Sequence, residues 1–315
     1  MIIVDKMECK EVKMEKRING LVVSDILYEE LNNYLANKDK KICAVDILIG
    51  DDFGGKMYSV MKQKKITSKT CINFYSKHFE SITEKELLDY LEILNNDEKI
   101  NEIMLQLPFP LYLNQSERKI LDKISPVKDV DGLTTTSIGK LVAGEDTLIP
   151  CTPLGIISLL KAYDVSLDGK KVAIINRSNI LGKPLAHLML RNNATPIICH
   201  SKTLNLKNIT RDCDIVVAAL NKQELITSDF ISDGTVVIDV GVHKNKDGKT
   251  VGDVNYEDVY SKASLITPPV GAVGPMTICM LAYNCAKAVY GEEINEVLEQ
   301  GIEKAKVLIK TIEFK

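Results

Sequence analysis

Apolar runs of strand length alternate along this chain with longer segments whose apolar residues recur at helical spacing. Residues 42–49 (Ile-Cys-Ala-Val-Asp-Ile-Leu-Ile) form a short β-rich run ending at Gly50, the pattern of a buried parallel strand. Residues 56–65 then read as a helix. Thr83-Glu-Lys-Glu86 is a capping box ahead of Leu87, Leu88, Leu91 and Leu94, so a helix is predicted to start there. Residues 103–107 give a second buried strand, stopped by Pro108 and Pro110. Strands alternating with helices predict a parallel α/β sheet for this half.

The second half repeats the logic. Strands are predicted at 172–175, 196–199, 215–219 and 236–240, with helices beginning near Pro184 and Leu206. Asp247-Gly248, between Val242 and Val251, marks a hairpin turn. A long helix follows Thr277, and 293–312 is amphipathic, so the chain is expected to return from a second domain to pack on the first. The predicted division is 1–143 with 281–315 against 144–280, with no internal repeat and no low-complexity linker.

Composition narrows the function classes. The 315 residues suit about two domains, each with its own core. An apolar share of 45% and a charged share of 26% are ordinary for a soluble protein, and a net charge of -3 gives no support to nucleic-acid binding. The eight cysteines (Cys9, Cys43, Cys71, Cys151, Cys199, Cys213, Cys279, Cys285) include no Cys-x-x-Cys pair, and they read as small core residues rather than metal ligands or disulfides. No stretch approaches the roughly 20 apolar residues of a membrane span. Residues 1–16 alternate apolar and charged positions and do not read as a signal peptide. A cytosolic, reduced protein is expected.

The turn after the strand at 172–175 reads Asn176-Arg177-Ser178-Asn179-Ile180-Leu181-Gly182-Lys183-Pro184. Its strand-turn-helix context suits a dinucleotide, where helix N-terminal amides meet phosphate, but the Gly-x-Gly-x-x-Gly fingerprint is reduced to Gly182, so a non-binding turn remains the alternative. The next strand ends in His200-Ser201-Lys202-Thr203 with no carboxylate for ribose hydroxyls. Arg177 with Ser201 suits a 2′-phosphate, which predicts NADP over NAD, while Lys202 reads as solvated.

Tyr58 and Lys62, four apart, share one helix face beyond the first strand. A lysine beside an aromatic ring is usually a surface lysine lying on an apolar neighbour. Gln106 changes the picture: it reads as the one strongly polar residue of a buried strand, at the carboxyl end where open α/β sheets place ligands, and Lys62 is an available partner. Asp129 reads as a turn aspartate bonding its own backbone, whereas Asp131, just before Gly132, is placed to aim a carboxylate into a cleft. Residues 270–275, with two glycines and a proline before a helix, read either as a close approach to a planar ligand or as a domain hinge.

Taken in order, Tyr58-x-x-x-Lys62, Gln106-Leu-Pro-x-Pro, Pro126-x-Lys-Asp-Val-Asp-Gly132, Cys151-Thr-Pro153 and Gly274-Pro-Met-Thr277 resemble the bifunctional methylenetetrahydrofolate dehydrogenase/methenyltetrahydrofolate cyclohydrolase family over about residues 18–289. The resemblance implies a folate-binding catalytic domain, a Rossmann-like NADP domain and a homodimer acting on one-carbon derivatives of tetrahydrofolate. It implies that Tyr58 stacks on the aminobenzoate ring, Asp131 bonds the pterin, Lys62 assists water and Gln106 holds Lys62. It further implies folate contacts from Leu105, Leu107, Val270, Gly271, Gly274 and Pro275, and cofactor contacts from Asn176, Arg177, Ser178, Ser201 and Val242. Asn176 and Asn221 stand where the family has glycine, Val270 and Ala272 replace proline and glycine, and sequence is added before Ile18 and after Gly291. Two rival readings are a shikimate-dehydrogenase-like oxidoreductase and a folate-binding protein without turnover.

Overall fold

The computed structural model describes residues 16–313, so Cys9 and all of the N-terminal segment read above except Lys16 lie outside the described residues. Helix α1 (Gly20–Leu35) is capped by the Asn19 side chain, and β1 (Cys43–Ile49), α2 (Phe53–Lys69), β2 (Asn73–Phe79), α3 (Glu84–Asn96) and β3 (Glu102–Leu105) follow. The predicted capping box is present, with Thr83 and Glu86 each bonding the other's backbone N–H, an arrangement contributing about 1 kcal/mol. These strands make a parallel sheet in the order β2-β1-β3. The expected third-strand run to residue 107 stops at Leu105, and Gln106 lies just past its end. Sequence reading passed over β2, a mostly polar edge strand that only its pairing with β1 defines, and also α1, although Val23, Leu27, Leu31 and Leu35 recur there at helical spacing and are buried.

The short α4 (Glu117–Leu121), α5 (Thr135–Ala143) and α6 (Cys151–Ala162) lead to a second parallel sheet. It is built from β4 (Lys171–Ile175), α7 (Gly182–Arg191), β5 (Thr195–Cys199), α8 (Leu206–Arg211), β6 (Ile215–Ala218) and β7 (Val236–Asp239). The predicted hairpin is β8 (His243–Lys244) with β9 (Thr250–Val251), and α9 (Tyr256–Tyr260) precedes β10 (Leu265–Ile266). Strand order is β10-β7-β6-β4-β5, a doubly wound pattern. Arg17 bridges Ile266 in parallel, so the segment before α1 borders this second sheet.

Helices α10 (Val273–Tyr290) and α11 (Glu293–Glu313) close the chain. Both pack on α1, as the predicted return requires, and α10 also packs along α6. There Gly155 matters, because a Cβ on it would sit 3.1 Å from the Met276 Cβ. A continuous core drawn from α1, β1, α6, β4, α7, α10 and α11 joins the two sheets, and two further clusters cover their outer faces. Helix α10 begins at Val273 rather than after Thr277, which puts Gly274 and Pro275 in its first turn, where proline is tolerated.

Candidate active site

At the carboxyl end of the first sheet, Tyr58, Lys62, Met104, Gln106, Leu107 and Asp131 line a cavity of about 130 Å³, with Pro150, Cys151, Thr152 and Thr277 completing its wall. Lys62 Nζ donates to Gln106 Oε1 at 2.7 Å and stands 5.4 Å from the Tyr58 ring centroid, so the expected lysine–glutamine and lysine–tyrosine pairings are both present. Burial pushes the Tyr58 phenol up, helped by Cys151 and Asp131. Sequence reading missed a further partner: Asp46 of β1, fully buried, lies 3.1 Å from Lys62 Nζ. The signal was a carboxylate inside an apolar strand. The expectation that Gln106 is the one strongly polar residue of a buried strand is therefore corrected, since Asp46 and Glu102 are buried within β1 and β3.

Asp131 is fixed from below. Gly132 adopts φ +64, and a Cβ there would lie 2.5 Å from the Leu148 carbonyl oxygen, so the turn needs glycine. Asn284 of α10 donates to Val130 O and Ile149 O, each at 2.8 Å, tying the two cavity-wall segments together. Burial raises the Asp131 carboxyl to about 6, against the lowering effect of Lys62. Asp129 behaves as the turn aspartate predicted, accepting from Leu133 N, Thr134 N and Ser137 Oγ. Leu105 departs from expectation: its side chain is 2% exposed in the outer core cluster and does not line the cavity, because strand alternation turns it to the opposite face from Met104.

Val270, Gly271, Gly274 and Pro275 line a different cavity, of about 370 Å³, with Val242, Met61 and Leu21. The first turns of α10 divide the two spaces, Thr277 facing the first and Ile278 the second. Exposed Val242 and Val270 give it an apolar lip.

The turn between β4 and α7 is braced by its own side chains. Asn176 Oδ1 accepts from Ser178 N (2.8 Å) and Gly182 N (3.1 Å), and its Nδ2 donates to Ala219 O (2.7 Å). Ser178 Oγ accepts from Leu181 N. Gly182 is required, since a Cβ would meet Asn176 O at 2.1 Å. Thus Asn176 turns its polar atoms inward to shape the loop. Strands β4 and β5 pair with Ile175 opposite Cys199, so Arg177 and Ser201 leave the sheet edge side by side, both exposed. An exposed guanidinium and hydroxyl beside a tight, glycine-dependent turn at a helix N-terminus fit a phosphorylated dinucleotide. Asn221 sits at φ +56, a left-handed conformation asparagine tolerates, and its N–H is held by Asp253.

Two family models match the chain: tetrahydrofolate dehydrogenase/cyclohydrolase, catalytic domain, over residues 18–131, and its NAD(P)-binding domain over residues 150–293. The bifunctional protein FolD of Agathobacter rectalis is 42% identical over 280 residues, spanning 88% of this chain and 99% of the relative. The crystal structure of the bifunctional enzyme FolD from Campylobacter jejuni superposes with a TM-score of 0.79 at 40% identity, covering 84% of this chain and 94% of that one. The Trypanosoma brucei methylenetetrahydrofolate dehydrogenase-cyclohydrolase, complexed with NADP cofactor and inhibitor, gives 0.80 at 30% identity, covering 86% and 96%. Shikimate dehydrogenase from Aquifex aeolicus, at 13% identity, a TM-score of 0.54 and coverage of 84% and 98%, shares the fold alone. Matched domain by domain and along nearly the whole length of its relatives, this chain belongs to the tetrahydrofolate dehydrogenase/cyclohydrolase family.

Proposed function

We propose that this chain oxidises methylenetetrahydrofolate to methenyltetrahydrofolate with NADP and hydrolyses the product to formyltetrahydrofolate. The observation that carries this reading is the cavity in which Lys62, Gln106, Tyr58 and Asp131 converge. NADP, when bound, accepts a hydride from the one-carbon bridge. The adjacent nitrogen lone pair stabilises the cation left behind, so the protein's task in that step is orientation rather than proton abstraction. Tyr58 stacks on the aminobenzoate ring, and Asp131 accepts hydrogen bonds from the pterin. Hydrolysis of the methenyl cation does require proton transfer, and Lys62, held by Gln106, assists the attacking water.

Arg177 and Ser201 would hold the 2′-phosphate, the Ser178 hydroxyl and the turn shaped by Asn176 would face the bridging phosphates, and Val242 would border the cofactor. Leu107 contacts the folate ring system, while Val270, Gly271, Gly274 and Pro275 border its outer end. On this reading 1–143 with 281–315 is the catalytic unit and 144–280 the NADP unit; the packing of α10 and α11 on α1 supports that division. A homodimer in the cytoplasm completes the reading. The free cysteines suit a reducing compartment, and no helix among the described residues is long and apolar enough to cross a membrane. The test is methenyl formation from methylenetetrahydrofolate with NADP against NAD: turnover preferring NADP is expected. Folate binding without turnover would favour the binding-protein alternative.

A further inference from the structure

Asp46 is an unusual residue for its place. It is 0% exposed in the middle of β1, between the buried apolar residues Val45 and Ile47, where a carboxylate persists only if its charge is met and its lone pairs are filled. Three side chains on two elements, α2 and β2, meet that demand. Lys62 of α2 lies 3.2 Å from Oδ1 and 3.1 Å from Oδ2. Ser59, one turn earlier on α2, donates to Oδ2 at 2.6 Å. Ser76 of β2, directly opposite Asp46 in the sheet register, places its hydroxyl 2.8 Å from that of Ser59.

Seen from Lys62, the arrangement is a tripod. An ammonium has three protons, and three acceptors surround it: Asp46, Gln106 at 2.7 Å and the Met104 sulfur at 3.3 Å. Sulfur is the weak acceptor of the three, and Met104 lines the cavity. In the amine form the lone pair takes that direction, toward the cavity, where it can accept a proton from the attacking water. The two oxygen partners fix where that lone pair points.

We propose that Asp46, backed by Ser59, is a positioning residue for the hydrolytic step, aiming the Lys62 amine into the cavity against Gln106. This rests on the reading of Lys62 as the group that assists water. Hydride transfer needs no amine, so loss of Asp46 weighs more on hydrolysis than on oxidation. Tyr58 and Asp131, which hold the folate, are left in place, so kcat for hydrolysis moves and KM does not.

The test measures both activities of the full-length protein in three variants, with thermal melting to report folding. In Asp46→Asn, which keeps the shape and removes the charge, hydrolysis kcat should fall about tenfold or more beyond any fall in oxidation. KM for methenyltetrahydrofolate should stay within about threefold. Ser59→Ala should move the same ratio by about threefold, and it carries the test if Asp46→Asn does not fold. An unchanged ratio in a folded Asp46→Asn or in Ser59→Ala overturns the proposal. Lys62→Met separates the two ideas. Hydrolysis that survives this substitution removes the Lys62 reading and the proposal with it, whereas hydrolysis lost in Lys62→Met but intact in Asp46→Asn removes the proposal alone.

Discussion

The turns after β1 and β4 are built alike and used differently. Each leaves the carboxyl edge of a parallel sheet, passes a residue whose side chain binds the next helix's N–H groups, and enters a helix. After β1, Asp52 caps α2, and the functional groups Tyr58 and Lys62 stand along the shaft of that helix, well past the turn. After β4 the turn itself is the candidate contact surface, presenting the Arg177 side chain from a loop braced by Asn176 and Ser178, while α7 buries most of its length. A site carried on a helix flank tolerates changes in the preceding turn. A site made of the turn does not.

That contrast can be broken most severely at Gly182. In Gly182→Ala the new Cβ meets backbone, not a flexible side chain, so the α7 N-terminus must shift. A cost of about 3 kcal/mol is expected, read as a lowered melting midpoint together with weakened NADP binding. Arg177→Ala comes next: it removes a charged donor without disturbing the turn and should raise KM for NADP about 10- to 100-fold while leaving KM for NAD nearly unchanged.

The cavity side is probed by pH. The Asp131 carboxyl sits near 6 because burial raises it, so it is ionised at pH 7 and largely neutral at pH 5. A neutral carboxyl is a poorer acceptor for pterin donors, and kcat/KM for folate should fall about tenfold between those values, a limb that Asp131→Asn abolishes. Stability runs the opposite way. The folded carboxyl holds its proton more tightly than the unfolded one, so its contribution is fully present below the unfolded value and is lost as pH rises through about 6. Asp131→Asn should thus not destabilise the protein at pH 8. The smallest effect belongs to Asn221→Gly: the backbone is already left-handed there, and a change within about 0.5 kcal/mol, with unaltered cofactor KM, is expected by calorimetry and kinetics.

Much of this was legible in one dimension. The Thr83 box, the Asp247-Gly248 hairpin and the buried parallel strands follow from local chemistry, and the Tyr58–Lys62–Gln106 grouping follows from helix spacing plus the rule that ligands gather at strand carboxyl ends. Asp46 did not, because an acid inside an apolar run looks like noise until its partner, sixteen positions away, is folded over it. Nor did the separation of residues 270–275 from the Lys62 cavity, which depends on α10 starting at Val273 and wedging between the two spaces. Leu105 shows the same limit in reverse: motif membership put it at the site, but strand alternation turned it into the core.

Residues 16–18 lie against β10, with Ile18 donating to Ile266 O and Ile266 donating back to Lys16 O. From residue 16 onward the chain thus touches one sheet, builds the other, returns and crosses again through α10. For recombination among relatives this is a lacing rather than a joint. A chimera spliced once between residues 131 and 150 imports a foreign β10 that must seat the host's Ile18, which is 0% exposed. Exchange of the cofactor half should cost least when residues 16–18 travel with it.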